Sequence, residues 1–225
     1  MLSMTVTPDR PDDPPDDLPA GALAPFPGEL LTLPVLEAAR ELLGRLLVTD
    51  GPEGPAAVRL VEVEAYAGGD DPASHSYRGR TARNAVMFGP PGHLYAYFTY
   101  GMHWCVNVVC APEGTPHAVL LRAGQPVLGA DLMAKRRRTT RERDLARGPA
   151  RLAQALGLDG TASGADLLDG GPIRLTAGWP VPDDAVAWTP RVGITRAADR
   201  PWRALDATSP WVSPPRPRPA PEAPE

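Results

Sequence analysis

Two glutamates stand one residue apart in the run Val61-Glu62-Val63-Glu64-Ala65-Tyr66. Before Asn107 the chain adds His75, Arg80, Arg83, Tyr95, Tyr97, Tyr100 and Met102. A close-packed core rarely holds such a mixture, because each buried carboxylate and phenol must find a partner. A site that stacks on a flat ring and activates a water needs all of these types: carboxylate for the proton, aromatic faces for the ring, guanidinium for negative charge.

Each residue also has a plainer explanation. Val58 to Ala65 alternates as a strand, with Val61 and Val63 on one side and Glu62 and Glu64 on the other, about 7 Å apart. Two acids on one strand face usually form a solvated face; Tyr66, on the same side, favours a site. A lone histidine such as His75 is more often structural. Arg78, Arg80 and Arg83 read as a solvated loop or as phosphate contacts. Tyr95 and Tyr97 share one face of a strand from His93 to Thr99, and His103 to Val109 alternates again. Tyr100-Gly101 between them predicts a tight hairpin whose exposed tyrosine is either covered or a wedge for a duplex. Asn107 lies on the return strand. His117 to Ala123 predicts a strand carrying Arg122, which either snorkels outward or is held by an acid.

The elements that must position these residues begin at Pro34. Val35, Leu36, Ala38, Ala39, Leu42, Leu43 and Leu46 give helical spacing through about Leu46. Asp50-Gly51 to Pro55 predicts a turn. Leu128 to about Arg138 predicts a helix ending in Lys135-Arg136-Arg137-Arg138, the one strongly cationic run, suited to phosphate or simply solvated. Gly148-Pro149 opens another helix, and Ile173 to Thr176 and Arg191 to Thr195 predict short strands.

The chain has 225 residues, 43% of them hydrophobic, which predicts one domain. Its 29 prolines crowd the ends: residues 1–27 and 214–225 read as disordered tails around a domain at 28–213. The net charge is −4, and residues 1–20, with five aspartates against one arginine, account for it. A near-neutral body can still hold a basic face. No apolar run is long enough for a membrane span, and the N-terminus lacks a secretory pattern. Cys105 and Cys110 have neither disulfide nor metal spacing. The expected setting is the cytoplasm, nucleoid-associated if bacterial.

In order along the chain, Val61-Glu-Val-Glu-Ala-Tyr66, Ala73-Ser-His-Ser76, Thr81-Ala-Arg-Asn84, Met87-Phe88, Pro91-Gly-His-Leu-Tyr-Ala-Tyr97, Tyr100-Gly-Met102, Val106-Asn107 and Val119-Leu-Leu-Arg-Ala123 resemble the alkyladenine (3-methyladenine) DNA glycosylase family. So do Arg147-Gly-Pro149, Gln154-Ala-Leu156, Arg191-Val-Gly193 and Ser209-Pro-Trp-Val-Ser213. The resemblance implies a mixed α/β (α+β) single domain around a curved antiparallel sheet, with a protruding β-hairpin and helices packed outside. It implies a base-excision-repair enzyme that flips damaged purines (3-methyladenine, 7-methylguanine, hypoxanthine, ethenoadenine) out of double-stranded DNA. By this resemblance Glu64 matches the general base and Arg122 its partner in holding water. Tyr66 and Tyr97 match the stacking walls, His75 the contact at the base edge, Asn107 the residue that crowds a guanine amino group, and Tyr100 the wedge. Met102, Arg80, Arg83, Arg136 and Arg137 are expected on DNA. The chain departs from the family pattern at His103-Trp104, and a shortened loop after Tyr77 bears on Arg80.

Lys135 is the only lysine and lies in the basic run, a poor place for the amine nucleophile of a lyase step. A monofunctional, water-using enzyme is therefore expected; no His/Cys/Asp cluster has ligand spacing, so no metal or cofactor is expected, and a monomer is the simple expectation. Two other readings compete. The fold type also resembles an RNA-binding domain attached to a tRNA formyltransferase, so a binding module without catalysis is one. A carbohydrate glycosidase using Glu62 and Glu64 as an acid pair is the other.

Overall fold

The computed structural model describes residues 18–215. Its helices are α1 (Val35–Leu42), α2 (Ala130–Arg137) and α3 (Pro149–Ala155). Its strands are β1 (Leu46–Gly51), β2 (Gly54–Tyr66), β3 (Leu94–Thr99), β4 (His103–Cys110), β5 (His117–Leu128), β6 (Ile173–Thr176), β7 (Val186–Thr189) and β8 (Arg203–Asp206). They form one sheet in the order β3-β4-β5-β2-β1-β6, with β8 pairing β2 and β7. Every pairing is antiparallel. This is the α+β single domain that the sequence predicted.

The 13-residue β2 is the axis. One edge pairs with β5; the other pairs first with β1 and then, from Glu62 to Glu64, with β8. Side chains that point to one face, among them Leu60, Val63, Ala65, Val106, Val108, Val119 and Leu121, enter the main core with α1 and α3. The opposite face of β2 to β5 carries the candidate chemistry.

Simple alternation does not produce this arrangement. Leu60 and Val63 both face the core, although they are three positions apart and strict alternation would put them on opposite faces. Register shifts between Leu60 and Glu62, and again between Glu62 and Val63, resolve the conflict. The first leaves Val61 as an extra residue on β2; the second leaves Arg122 as an extra residue on β5. Such bulges bend a strand and re-aim side chains. The expectation that Val61 and Val63 share a side is therefore corrected: Val61 packs with Ala123, Leu205 and Val212 in a separate cluster. Without the bulge, Glu62 would share the core face of Leu60.

Other boundaries also differ. The helix expected to reach Leu46 stops at Leu42, because Gly44 adopts φ +86° and a Cβ there would lie 2.3 Å from the Trp179 carbonyl oxygen. Leu46 instead starts β1, an element the sequence reading missed because its apolar residues continue the helix-like run. The hairpin loop between Thr99 and His103 holds three residues, not two. Residues 191–195 form a loop rather than a strand. They supply a backbone donor and a buried guanidinium instead of pairing in the sheet. The predicted domain start also moves: Ala22 and Phe26 are buried against the body, so residues 18–27 pack with the domain. The remaining tail residues, 1–17 and 216–225, lie outside the described residues.

Candidate functional site

The sheet face opposite the helical core opens into a cavity of about 370 Å³, within the range of small-molecule sites. The register explains its lining. Tyr66 stands opposite Ala118, Asn107 opposite Leu120 and Tyr95, and Tyr97 opposite Cys105. All of these residues line the cavity, joined by His75 and by Val192 to Ile194.

Glu62 and Glu64 are both 0% exposed, so the solvated-face explanation does not hold. Glu64 lies just behind the cavity wall. Its Oε2 accepts from the Tyr66 hydroxyl at 2.8 Å, and its Oε1 accepts from the Val192 backbone N–H at 2.7 Å. Arg122 Nη1 lies 3.3 Å from the same Oε1. A carboxylate has about four acceptor positions; three are taken here, and Oε2 keeps one for a water. Burial disfavours the charge on Arg122, but Glu64 and Glu62 outweigh it and raise its pKa. Burial first, then the charge and hydrogen bond of Glu64, push the Tyr66 phenol far up, so it stays a protonated donor.

Glu62 is saturated. Oε1 accepts from Arg122 Nε at 2.7 Å, Arg203 Nε at 2.8 Å and Ser213 Oγ at 2.8 Å; Oε2 accepts from Ser213 N at 2.6 Å. Glu62 does not line the cavity and its acceptor positions are all taken, so it has no place to meet a substrate, which removes the carbohydrate-glycosidase pair.

The aromatic walls are fixed from behind. Arg191 lies over the Tyr66 ring at 4.6 Å and over Trp202 at 5.1 Å, and donates to the Ala65 carbonyl at 2.9 Å. It is anchored by a fully buried ion pair with Asp71, one arm at 2.8 Å. Burial raises the Asp71 pKa, but Arg191 and nearby backbone donors outweigh it and the net shift is downward. Across the cavity, His75 meets the edge of Tyr97 at 4.5 Å, and its Nδ1 lies 3.2 Å from the Tyr95 hydroxyl. Burial, helped by the Arg83 charge, lowers the His75 pKa, so the imidazole is neutral at neutral pH. Asn84, 3% exposed, donates to the His75 carbonyl at 3.0 Å and thereby pins this loop. Asn107 Nδ2 donates to the Tyr95 carbonyl at 3.1 Å, which fixes its amide on the cavity floor.

Beside the cavity mouth the β3–β4 hairpin projects Tyr100, 82% exposed, and Met102, 70% exposed. Tyr100 adopts φ +50°, which is unusual for a bulky residue and belongs to a tip held in one shape. Arg83 donates to the Phe98 carbonyl at 3.1 Å, next to the hairpin turn, and Arg80 is exposed on the same loop. Arg136 and Arg137 are placed differently. Arg136 pairs with Glu53 at 3.1 Å and donates to the Ala155 carbonyl at 3.1 Å. Arg137 donates to the Leu145 carbonyl at 3.0 Å and to the Gln154 side chain. Both tie α2 to its neighbours. Lys135 pairs with Glu53 at 2.9 Å and does not line the cavity.

Sequence reasoning thus reached Glu64, Arg122, Tyr66, His75, Tyr97 and Asn107, which the fold gathers, but missed Val192, Arg191, Asp71 and Arg203. Arg191-Val-Gly193 and Ser213 were visible only as matching stretches, without a chemical role. Arg203 carried one usable signal: a lone arginine opening the short run Ala204-Leu205.

The sequence profile of the methylpurine-DNA glycosylase family matches residues 29–210. A relative from Streptomyces avermitilis is 53% identical over 194 residues, spanning 84% of this chain and 91% of the relative. One from Nocardia farcinica is 55% identical over 184 residues, 78% of this chain and 84% of its own length. One from Burkholderia lata is 52% identical over 175 residues, 74% and 80%. Each is provisionally named 3-methyladenine DNA glycosylase.

Proposed function

The chain belongs to the methylpurine-DNA glycosylase family, and on that footing we propose that it is monofunctional, hydrolysing the N-glycosidic bond of damaged purines flipped from duplex DNA. It is a DNA glycosylase of the 3-methyladenine type, a hydrolase of N-glycosyl bonds. This sets aside the binding-module alternative. The observation that carries the finer reading is the placement of Glu64, between Arg122, the Tyr66 hydroxyl and the Val192 N–H, at the back of a tyrosine-walled cavity.

The base enters between Tyr66 and Tyr97, where stacking contributes roughly 1–3 kcal/mol and tolerates many purines. His75 meets its edge, and Asn107 crowds a guanine amino group. As the bond from the sugar carbon to the base nitrogen lengthens, its electron pair leaves with the base and positive charge grows on the sugar. The Glu64 carboxylate opposes that charge and takes a proton from the water whose oxygen bonds to the sugar carbon. The products are the free base and an abasic site. A base already carrying an alkyl-derived positive charge leaves neutral; an uncharged base such as hypoxanthine leaves as its anion with the bond's electron pair and takes up a proton from solvent water. Tyr100 occupies the vacated place in the stack. Lys135, the one lysine, is held by Glu53 away from the cavity, so no lysine amine among the described residues reaches it for strand cleavage.

The test is single-turnover release from a duplex with one hypoxanthine, beside a matched 7-methylguanine duplex. Wild type should give alkali-dependent strand breaks, and Glu64→Gln should bind without releasing base. Breaks without alkali, or unchanged release by Glu64→Gln, would overturn the reading.

A further inference from the structure

We propose that Glu62 is a positioning residue for this hydrolysis, aiming Arg122 so that Glu64 stays a working base; the inference rests on the glycosylase reading above. Arg122 spans the two carboxylates, with Nε 2.7 Å from Glu62 Oε1 and Nη1 3.3 Å from Glu64 Oε1. A guanidinium is a rigid plane, so a short contact at Nε sets where the other nitrogens point. The closer contact goes to Glu62, and Glu64 receives the longer one.

Stability gives no sufficient reason for this cluster. Taking two carboxylates and two guanidiniums out of water is costly, and apolar residues of similar volume often do as well. Yet the protein builds the cluster with care. The bulges at Val61 and Arg122 bring Glu62 and Arg122 together in it. Arg203, 1% exposed, neutralises Glu62 and is itself held by the Ser213 and Pro215 carbonyls, each at 2.9 Å. Ser213 brings the last described segment of the chain onto Glu62 through both its N–H and its hydroxyl. The result confines Arg122 to one orientation.

Without Glu62, Arg122 is free to turn and take Glu64 with two nitrogens. Both oxygens would then be committed, and the carboxylate would be a weaker acceptor for the water proton. The charged groups facing the pair are Arg122 and Arg203 on Glu62, and Arg122 with the neutral donors Tyr66 and Val192 on Glu64. The Arg191–Asp71 pair lies behind Tyr66. Removing the Glu62 charge leaves two guanidiniums and one carboxylate, which favours the ionised form of Glu64. Removing Arg203 has the opposite sign.

The experiment measures single-turnover base release against pH, with duplex affinity, for wild type, Glu62→Gln and Arg203→Gln. Glu62→Gln is expected to bind damaged duplex as wild type does and to release base roughly 10- to 100-fold more slowly, the scale of a small misplacement at the reacting centre. Its acid limb should move to lower pH, and that of Arg203→Gln to higher pH. A Glu62→Gln rate within about twofold of wild type, a loss too small to mark transition-state stabilisation, overturns the proposal. So does a slower rate with an unmoved acid limb, the mark of a merely structural role. Should Glu62→Gln not fold, Ser213→Ala deletes only a hydroxyl from the cluster: slower release with intact binding supports the proposal and unchanged release overturns it. A wild type that releases no base overturns the glycosylase reading itself, and is told apart because that loss precedes any variant.

Discussion

The Tyr66 hydroxyl donates to Glu64 Oε2 at 2.8 Å, from two residues further along the same strand. One side chain therefore does two things: its ring forms a wall of the cavity while its hydroxyl holds the proposed base. The two can be separated. Tyr66→Phe keeps the ring and removes the donor, so the ionised form of Glu64 loses a hydrogen bond. The acid limb of the single-turnover profile should move to higher pH, with damaged-duplex affinity retained. Tyr66→Ala also loses the stacking face, and affinity for the flipped base should fall by roughly 1–3 kcal/mol. Equal effects of the two variants on affinity would contradict the division.

The Asp71–Arg191 pair supports this wall from behind. Both side chains are 0% exposed, so removing one leaves a buried uncompensated charge. Arg191→Met should cost about 3–5 kcal/mol, seen as a loss of roughly 10 °C in the melting temperature. The acid dependence follows from the direction of the Asp71 shift. Its folded pKa lies below the ordinary value, so folding favours the ionised form. The contribution is full above the unfolded carboxylate pKa of about 4 and is lost as pH falls through the lower folded value. The gap in melting temperature between wild type and Asp71→Asn should therefore be constant near neutrality and narrow under acid. A gap that widens on acidification would show that the pair is not what protects the fold.

Much of this site was legible because β-strand chemistry is local. Glu64, Tyr66, Tyr95 and Tyr97 could be assigned to faces from a two-residue period alone. The period failed at Val61, where a bulge intervenes, and nothing in Leu60-Val61-Glu62 announces one. The partners of Glu62 were hidden for a different reason. Arg203 and Ser213 are 141 and 151 residues away from it, and long-range ion pairs leave no periodic trace. The missed strand β1 shows a third limit: Leu46-Leu47-Val48 continues the apolar run of α1, and only the backbone geometry at Gly44 separates them.

Arg136 and Arg137 show what a basic run leaves open. Read in one dimension, Lys135 to Arg138 is suited to phosphate or simply solvated; in the fold, Arg136 is clamped between Glu53 and the Ala155 carbonyl. Arg136→Ala should therefore lower the melting temperature while leaving the salt dependence of duplex binding unchanged. Arg83→Ala, beside the hairpin turn, should reduce that dependence by about one phosphate contact. A salt titration of both variants decides between the two roles.

Tyr100 carries the last prediction. Its 82% exposure and φ of +50° are both unfavourable for a large aromatic residue in water, and a backbone conformation of this kind costs on the order of 1–3 kcal/mol. The surrounding turn keeps it nonetheless: Gly101 also has positive φ, and the Thr99–His103 pairing closes the loop. A pre-shaped wedge loses little freedom when it enters a base stack, which is the advantage of holding it this way before DNA arrives. Tyr100→Ala should therefore bind undamaged duplex almost as wild type does, since phosphate contacts dominate that affinity. It should nonetheless lower the flipped fraction, followed with a fluorescent base analogue opposite thymine. Equal losses in both measurements would make Tyr100 a general DNA contact rather than a wedge.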